Sequence, residues 1–301
     1  MKKHSEKHFA RRRLSFQIAA AALINGYAMG FAKGKIFTGS SKMFCVPVLN
    51  CYSCPAALGA CPVGALQSII GSARYDFSFY VVGLIMLFGL VLGRLICGLL
   101  CPFGLVQDLL YKIPLPKIRV NPRIDRPLRF LKYIVGAVFV VLLPLFLTNQ
   151  FGTAPPYFCK LICPAGILEG AFPLIAANPS LRSSLGFLFN WKLFVLVAVL
   201  VSSVFIYRPF CKYLCPLGAF YSLFNRFSLY GMYLDKSLCI NCKACERKCL
   251  MNVELTKNIN SPECIRCGAC KSVCPKGAIS SGFDIKIKPI KTDKKQGHSK
   301  T

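Results

Sequence analysis

The sequence predicts an all-α polytopic membrane protein that ends in a small C-terminal domain of mixed α and β structure. Three observations predict this architecture. Of 301 residues, 54% are hydrophobic and only 16% are charged, which is unusual for a soluble domain. Four long apolar runs alternate with basic segments or with segments broken by Pro and Gly. Most of the 18 cysteines fall into closely spaced groups, and the densest groups follow the last apolar run.

Two runs between residues 239 and 274 share the spacing C-x2-C-x2-C-x3-C. This is the spacing of a two-cluster bacterial ferredoxin, in which the fourth Cys of each run ligates the other cluster. Zinc would need four ligands in two pairs and would leave the middle Cys of each triplet without a role. Cys249 is followed by Leu250 rather than Pro, so the sequence defines the turn after it less well. The expected [4Fe-4S] ligands are Cys239, Cys242, Cys245 and Cys274 for one cluster, and Cys264, Cys267, Cys270 and Cys249 for the second.

The apolar runs predict four crossings within a membrane domain of residues 14–232, because about 20 apolar residues cross a hydrocarbon core of about 30 Å. Basic residues in segment 1–13 and between residues 112 and 132 indicate that the N-terminus and this loop are cytoplasmic. An even number of crossings then keeps the C-terminus on the same side. A cleaved signal peptide is the rival interpretation of the first run. The predicted spans are about 14–32, 77–96, 130–147 and 191–207.

The segments between the spans predict short elements rather than further crossings. Outer segments 33–76 and 148–190 are apolar but interrupted by Pro and Gly, as in re-entrant elements. Pro144 predicts a kink in the third span. The ferredoxin-like domain is expected over residues 233–283. A basic tail, residues 284–301, is expected to lie on anionic lipid.

Four Cys-Pro-x-Gly sites indicate a two-fold internal repeat, in which each copy has outer cysteines, a span and an inner C-x3-C-P. Three of the sites have a second Cys four residues upstream, on the same helical face. Pro disturbs the helix after the second Cys, and the following Gly can offer its N–H to sulfur. One such unit supplies two thiolates and two units supply four. The repeated sites begin at Cys61, Cys101, Cys163 and Cys215.

Two further clusters follow from this repeat, one at each lipid boundary. The inner ligands are expected to be Cys97, Cys101, Cys211 and Cys215. The outer ligands are expected to be Cys54, Cys61, Cys159 and Cys163, with Cys51 as an alternate ligand from the same loop as Cys54 and Cys61. Cys45 is expected to be a spare buried cysteine. The alternatives are packing cysteines for the inner set and disulfides for the outer set.

The spans, the inner pairs Cys97-x3-Cys101-Pro and Cys211-x3-Cys215-Pro, and the C-terminal cysteine runs resemble the polytopic 4Fe-4S proteins typified by NapH and the membrane half of NosR. This resemblance implies membrane electron transfer between quinol or a cytoplasmic donor and an extracytoplasmic acceptor. The outer cysteines extend beyond the inner pair that defines the NapH type.

These features predict an electron-transfer component rather than a stand-alone catalyst, located in a bacterial or archaeal cell membrane. The first hypothesis is a transmembrane path from an acidic cytoplasmic donor, ferredoxin- or flavodoxin-like, to an extracytoplasmic redox acceptor. The second is a quinol-oxidising subunit, for which Asp108 and Glu169 are the candidate proton acceptors. The third is a redox-sensing membrane regulator.

Several other chemistries are not expected. The histidines are terminal, at positions 4, 8 and 298, so no predicted span offers haem an axial imidazole. The sequence contains no flavin, nicotinamide or phosphate-binding fingerprint. The formal charge of +27 omits the negative charge of ligated thiolates. The basic residues of the chain also lie beside apolar spans. We therefore expect the lipid bilayer, and not nucleic acid, to be the partner of the basic residues.

Overall fold

The computed structural model describes residues 2–72, 78–150 and 152–283, and it is largely helical. Short 3-10 turns cover Ser40–Met43 and Pro179–Ser184. The helices are α1 (Lys2–Ile24), α2 (Met29–Lys33), α3 (Pro62–Gly71), α4 (Tyr80–Leu92), α5 (Leu95–Leu99), α6 (Pro102–Leu110), α7 (Pro122–Phe146), α8 (Tyr157–Leu161), α9 (Gly166–Ala177), α10 (Phe187–Phe205), α11 (Pro209–Tyr213), α12 (Pro216–Phe224), α13 (Ala244–Lys248) and α14 (Ala269–Val273). The strands are β1 (Tyr230–Leu234) and β2 (Ile279–Phe283).

Helices α7 and α10 are long and apolar enough to cross a membrane, with 25 and 19 residues. They contain most of the predicted third and fourth spans. Only 22% and 17% of their most apolar stretches are buried within the protein. The remaining apolar surface is therefore available to lipid, as in a membrane protein.

The first two predicted spans differ from the helices observed. Helix α1 ends at Ile24, and the chain bends over residues 25–28 before α2, so the run 14–32 is not one helix. At the bend the N–H of Tyr27 bonds to the carbonyl of Ala56, 3.2 Å away. Helix α4 has 13 residues and is about 20 Å long, whereas residues 73–77 lie outside the described part of the chain. Crossing by these two segments remains a prediction.

Both long proline-containing helices have a π-helical turn just before the proline. In α7 the turn covers Gly136–Leu142 and precedes Pro144; in α9 it covers Gly166–Ala171 and precedes Pro173. Proline has no N–H and its ring crowds the preceding turn, so regular i to i−4 bonding fails there. Pro144 is thus preceded by a widened turn within a continuous helix, and the kink itself remains a prediction.

Helix α1 contacts three separate parts of the protein along its length. Near its start, Phe9 packs against Gly268 of the C-terminal domain, whose φ of +75° favours glycine. Eight residues later, Gln17 donates to the carbonyl of Gly98, 3.2 Å away. After eight more, Asn25 accepts from the thiol of Cys54 at 3.7 Å. These three contacts are therefore spaced about 12 Å apart along the helix axis, since a helix rises about 1.5 Å per residue.

The C-terminal domain is built on an antiparallel pair of strands, with Tyr230 opposite Phe283 and Leu234 opposite Ile279. Helices α13 and α14 lie between the strands in sequence, and each lies within one of the two cysteine runs. This is the α+β arrangement expected for residues 233–283, although β1 begins three residues earlier. The predicted basic tail, residues 284–301, lies outside the described residues.

A buried carboxylate joins the C-terminal domain to the helical domain. Glu263 accepts from Arg94 at 2.8 Å and from Lys132 at 2.5 Å, and both cations are 0% exposed. Although burial opposes ionisation, Arg94 and Lys132 lower the pKa of Glu263 to about 2. The interface therefore contains an ionised carboxylate shared by two buried cations.

Replacing Glu263 by Gln should destabilise the protein by about 3–5 kcal/mol, because two buried cations would lose their only shared counter-charge. Thermal unfolding of the detergent-solubilised protein measures this change. Glu254→Gln is the matched control, since Glu254 also contacts two cations but is 46% exposed. That variant should leave the melting temperature almost unchanged, because exposed ion pairs contribute little to stability. Equal melting temperatures for the two variants would contradict the analysis.

Candidate functional site

Two Cys-Pro turns with the same backbone conformation form the inner cysteine site. Cys101 and Cys215 precede α6 and α12, with φ of −72° and −73°, and a proline follows each of them as the first helical residue. The N–H of Gly218 donates to the Cys215 sulfur at 3.3 Å, as the Cys-Pro-x-Gly pattern predicts. The equivalent glycines in the other three sites, Gly64, Gly104 and Gly166, direct their N–H groups to the sulfurs of Cys61, Cys101 and Cys163, respectively.

The structure brings the four predicted inner cysteines to one cavity. Each is between 5% and 8% exposed, and the remaining wall is mainly apolar and includes Leu49, Ile96 and Leu217. Sequence spacing alone therefore identified a group of cysteines that converge from two distant parts of the chain. The four are Cys97, Cys101, Cys211 and Cys215.

Two buried arginines connect the Cys97–Cys101 unit and the Cys211–Cys215 unit reciprocally. Arg94, three residues before Cys97, donates to the carbonyl of Cys211 at 3.1 Å. Arg208, three residues before Cys211, donates to the carbonyl of Cys97 at 2.5 Å. Both arginines are 0% exposed. Our sequence analysis missed them, although an Arg precedes both inner C-x3-C-P units at the same distance.

The surroundings of the inner site contain more buried positive than negative charge. Three carboxylates, Asp108, Asp125 and Glu263, each bond to two cations. Buried charge is costly unless it is balanced. In addition, Nε of Arg94 has no hydrogen-bond partner among the described residues. An anionic thiolate-ligated cluster on the four cysteines would balance this charge, so the residues present fit such a group. Of the six cations, Arg94, Lys132, Arg208 and Lys212 are buried, and Arg13 and Arg129 are partly exposed.

A second cavity contains the outer cysteines. Its wall includes Cys61, Cys159 and Cys163, as predicted, together with Cys51. Asn50 also lines it, is 0% exposed, and has no hydrogen-bond partner for either side-chain polar atom among the described residues. Because an unpaired buried amide is costly, this wall fits a bound group with hydrogen-bonding capacity.

The preference for Cys54 over Cys51 is not supported. The Cys54 thiol donates to Asn25 and packs with Ala56 and Ala57, away from the cavity that contains the other three sulfurs. Cys51 lies on that cavity, and its backbone N–H donates to Glu169 at 2.7 Å. Cys45 is buried, as expected, and is not among the residues that line either cavity.

Two buried glutamines were missed in the sequence, although each occupies the sixth position after a Cys-Pro cysteine. Gln107 donates to the sulfur of Cys211 at 3.0 Å, and Gln67 donates to the sulfur of Cys159 at 3.3 Å. Both are 0% exposed. The signal that could have identified them is the repeated pattern Cys-Pro-x-Gly-x-x-Gln at Cys61 and Cys101.

The inner and outer cavities are close neighbours and share Leu49 as a common wall residue. Sulfurs from both sets belong to one apolar core, which includes Cys61, Cys101 and Cys163. On the other side of the inner site, Gly98 is so close to Ile265 that an added Cβ would lie 2.3 Å from its carbonyl oxygen. The two sets are therefore close together in the protein, and their position relative to the two lipid boundaries remains a prediction.

The two C-terminal cysteine loops have matching backbone conformations. Positive φ occurs at Asn241 and Lys243 in the first loop and at the equivalent Arg266 and Gly268 in the second. It recurs three residues after the fourth cysteine of each run, at Asn252 and Gly277, so Leu250 in place of Pro leaves this turn intact. One cavity is lined by all four cysteines of the second predicted set, Cys249, Cys264, Cys267 and Cys270.

The first predicted set, by contrast, lies towards the protein surface. Cys242 is exposed, and Cys239, Cys245 and Cys274 are partly buried. All four follow the same loop pattern as the second set, and α13 and α14 pack against each other. Within the described residues, which include every cysteine, there is no disulfide. Among the described residues, no three His, Cys, Asp or Glu side chains lie close enough to ligate a single ion. A [4Fe-4S] cluster does not require this, because each of its four cysteines ligates a different iron.

Comparison with known proteins agrees with this geometry. A family model of a 4Fe-4S binding domain matches residues 77–121 and again residues 188–229, which contain the two inner cysteine pairs. A second 4Fe-4S binding-domain model matches residues 258–280. No solved structure matches the chain.

Three curated proteins illustrate the relationship. The uncharacterized protein MJ0750 of Methanocaldococcus jannaschii is 32% identical over 234 residues, which is 75% of this chain and 87% of that protein. The ferredoxin-type protein NapH of Haemophilus influenzae is 26% identical over 293 residues, 91% of this chain and 89% of NapH. The regulatory protein NosR of Pseudomonas aeruginosa is 28% identical over 192 residues, 60% of this chain but 24% of NosR. These matches confirm the resemblance inferred from the cysteine pattern, and the chain belongs to the family of ferredoxin-type 4Fe-4S electron-transport proteins.

Proposed function

We propose that this chain transfers electrons across a membrane, between a cytoplasmic donor and an extracytoplasmic acceptor, through up to four [4Fe-4S] clusters. The observation that supports this most directly is the row of cysteine sites with shared walls. Gly98 and Ile265 separate the C-terminal domain from the inner site, and Leu49 separates the inner site from the outer one. Such a row replaces one crossing of about 30 Å by shorter steps.

When bound, each cluster supplies a one-electron carrier. The residues of the chain hold the ligand sulfurs, exclude water and balance charge. Cys97, Cys101, Cys211 and Cys215 would hold the inner cluster, and Cys51, Cys61, Cys159 and Cys163 the outer one. Two such cysteine units in one membrane domain support the proposed two-fold repeat, with four crossings and both termini in the cytoplasm.

The exposed C-terminal domain suggests where the donor binds. Cys242 is exposed, and the neighbouring α13 ends in Arg247 and Lys248. Arg119 of the loop before α7 donates to the carbonyl of Arg247 at 2.5 Å, which adds another basic residue to this face. An acidic ferredoxin- or flavodoxin-like protein would be attracted to such a surface.

Protein purified without oxygen should contain four clusters' worth of iron and acid-labile sulfide. Cys101→Ala should lose one cluster's worth, because three thiolates and an apolar methyl do not complete the inner site. Elemental analysis and EPR of the reduced protein measure both. Cys45→Ala is the control and should retain all the iron, since Cys45 lies outside the two cavities. Wild-type protein saturated at two clusters would overturn the proposal.

The choice between Cys51 and Cys54 has a direct test in two variants three residues apart. Cys51→Ala should lose the outer cluster, because Cys51 lies on the cavity with Cys61, Cys159 and Cys163. Cys54→Ala should retain it and lose only a hydrogen bond to Asn25. Iron content and the EPR signal of the outer cluster distinguish them. Loss in the Cys54 variant alone would show that our assignment is wrong.

A second candidate function, quinol oxidation, is favoured by an apolar cavity of about 200 Å³. Its wall includes Pro62 beside Cys61 and Pro216 beside Cys215, so it adjoins both membrane cysteine sites. Neither predicted proton acceptor is among its lining residues: Asp108 is held by Arg13, Arg208 and Gln17, and Glu169 accepts from Cys51. A quinol would therefore have to deliver its protons to other groups.

Filling this cavity distinguishes the two functions. Val140 lines the cavity and is 4% exposed, so Val140→Trp should abolish cluster reduction by a quinol analogue while dithionite still reduces the clusters. Val197 is 49% exposed on α10, and Val197→Trp is the matched control. Rapid-mixing spectroscopy measures reduction in both. Equal quinol reduction in wild type and the Val140 variant would exclude this cavity as the quinol site.

A further inference from the structure

Gln107 crosses from the Cys97–Cys101 unit to the Cys211–Cys215 unit. It lies on α6, six residues after Cys101, and its Nε2 atom donates to the sulfur of Cys211 at 3.0 Å. The same atom is 3.4 Å from the carbonyl oxygen of Phe103, one turn earlier. Its Oε1 atom accepts from the N–H of Phe210, the residue before Cys211, at 3.2 Å. Every polar group of this buried amide is therefore used.

Gln67 makes the same contacts at the outer site. It lies on α3, six residues after Cys61, and its Nε2 atom donates to the sulfur of Cys159 at 3.3 Å. The second donor contact is to the carbonyl of Val63 at 3.1 Å. Its Oε1 atom accepts from the N–H of Phe158, the residue before Cys159, at 2.8 Å. The two glutamines thus have equivalent positions in the two sites.

The orientation of each amide follows from the network. The oxygen of each glutamine must face a backbone N–H, because only an acceptor can bond there. The amide nitrogen then necessarily faces sulfur. An apolar side chain of similar size would fill the same space without the cost of burying an amide, so packing alone does not explain a glutamine at both positions.

We infer that Gln67 and Gln107 raise the reduction potentials of the outer and inner clusters by donating hydrogen bonds to ligand sulfurs. This inference rests on the proposed function, since it requires clusters on these cysteines. A reduced cluster has one more negative charge than an oxidised one, so a donor to sulfur stabilises the reduced state more. Each glutamine contacts one site only, which makes the two effects separable.

The test uses two reciprocal variants, Gln67→Met and Gln107→Met, because Met is similar in length and has no N–H. EPR-monitored redox titration of each membrane cluster is the measurement. In Gln107→Met, the reduced-to-oxidised ratio of the inner cluster at fixed potential should fall about three- to tenfold, where tenfold corresponds to about 59 mV for one electron. The outer cluster should be unchanged. Gln67→Met should show the reverse pattern.

Iron content and a measurement on the wild type distinguish a failure of the inference about the two glutamines from a failure of the proposed function. Wild-type protein labelled with ¹⁵N-glutamine should show weak ¹⁵N couplings to both reduced membrane clusters in pulsed EPR, even where a variant fails to fold. Full iron content with unshifted potentials, equal shifts at both clusters, or no ¹⁵N coupling would overturn the inference. Wild-type protein that lacks the two membrane cluster signals would instead overturn the proposed function.

Discussion

The central constraint on this structure is the excess of buried positive charge between the helical domain and the C-terminal domain. Asp108, Asp125 and Glu263 each bridge two cations, and two of these cations, Arg94 and Arg208, also bond to carbonyls of the inner cysteines. Such an arrangement is stable only if an anionic group completes it. Folding, docking of the C-terminal domain and cluster binding should therefore be coupled, because the same residues serve all three.

The cysteine spacing predicted which inner cysteines converge, because ligation imposes a regular pattern on the sequence. A C-x3-C-P unit supplies two sulfurs, so two units predicted one site, and Cys97, Cys101, Cys211 and Cys215 do meet. The fourth outer cysteine was not predictable in this way. Cys51 and Cys54 lie in one loop, and they are distinguished by contacts with residues outside it: Cys54 with Asn25, and Cys51 with Glu169 and the outer cavity.

The membrane topology was harder to derive, because hydropathy does not distinguish lipid-facing from core-facing side chains. Arg13 was interpreted as part of a cytoplasmic topology signal, yet it bonds to Asp108 at 2.5 Å beside a Gln17 that is 2% exposed. Likewise, the apolar run 14–32 bends after Ile24 to contact the first cysteine loop. Long-range contacts of this kind leave no periodic trace in the sequence.

The two membrane sites share their turn and their glutamine but differ in flanking charge. Arg94 and Arg208 stand seven residues before Cys101 and Cys215, whereas Cys54 and Pro156 occupy the equivalent positions before Cys61 and Cys163. Net charge and hydrogen bonds to sulfur both determine the potential of a cluster. The repeated turn therefore provides ligation at both sites, and the residues around it provide the difference between them. That difference, more than the cysteines themselves, would determine which way electrons move between neighbouring sites.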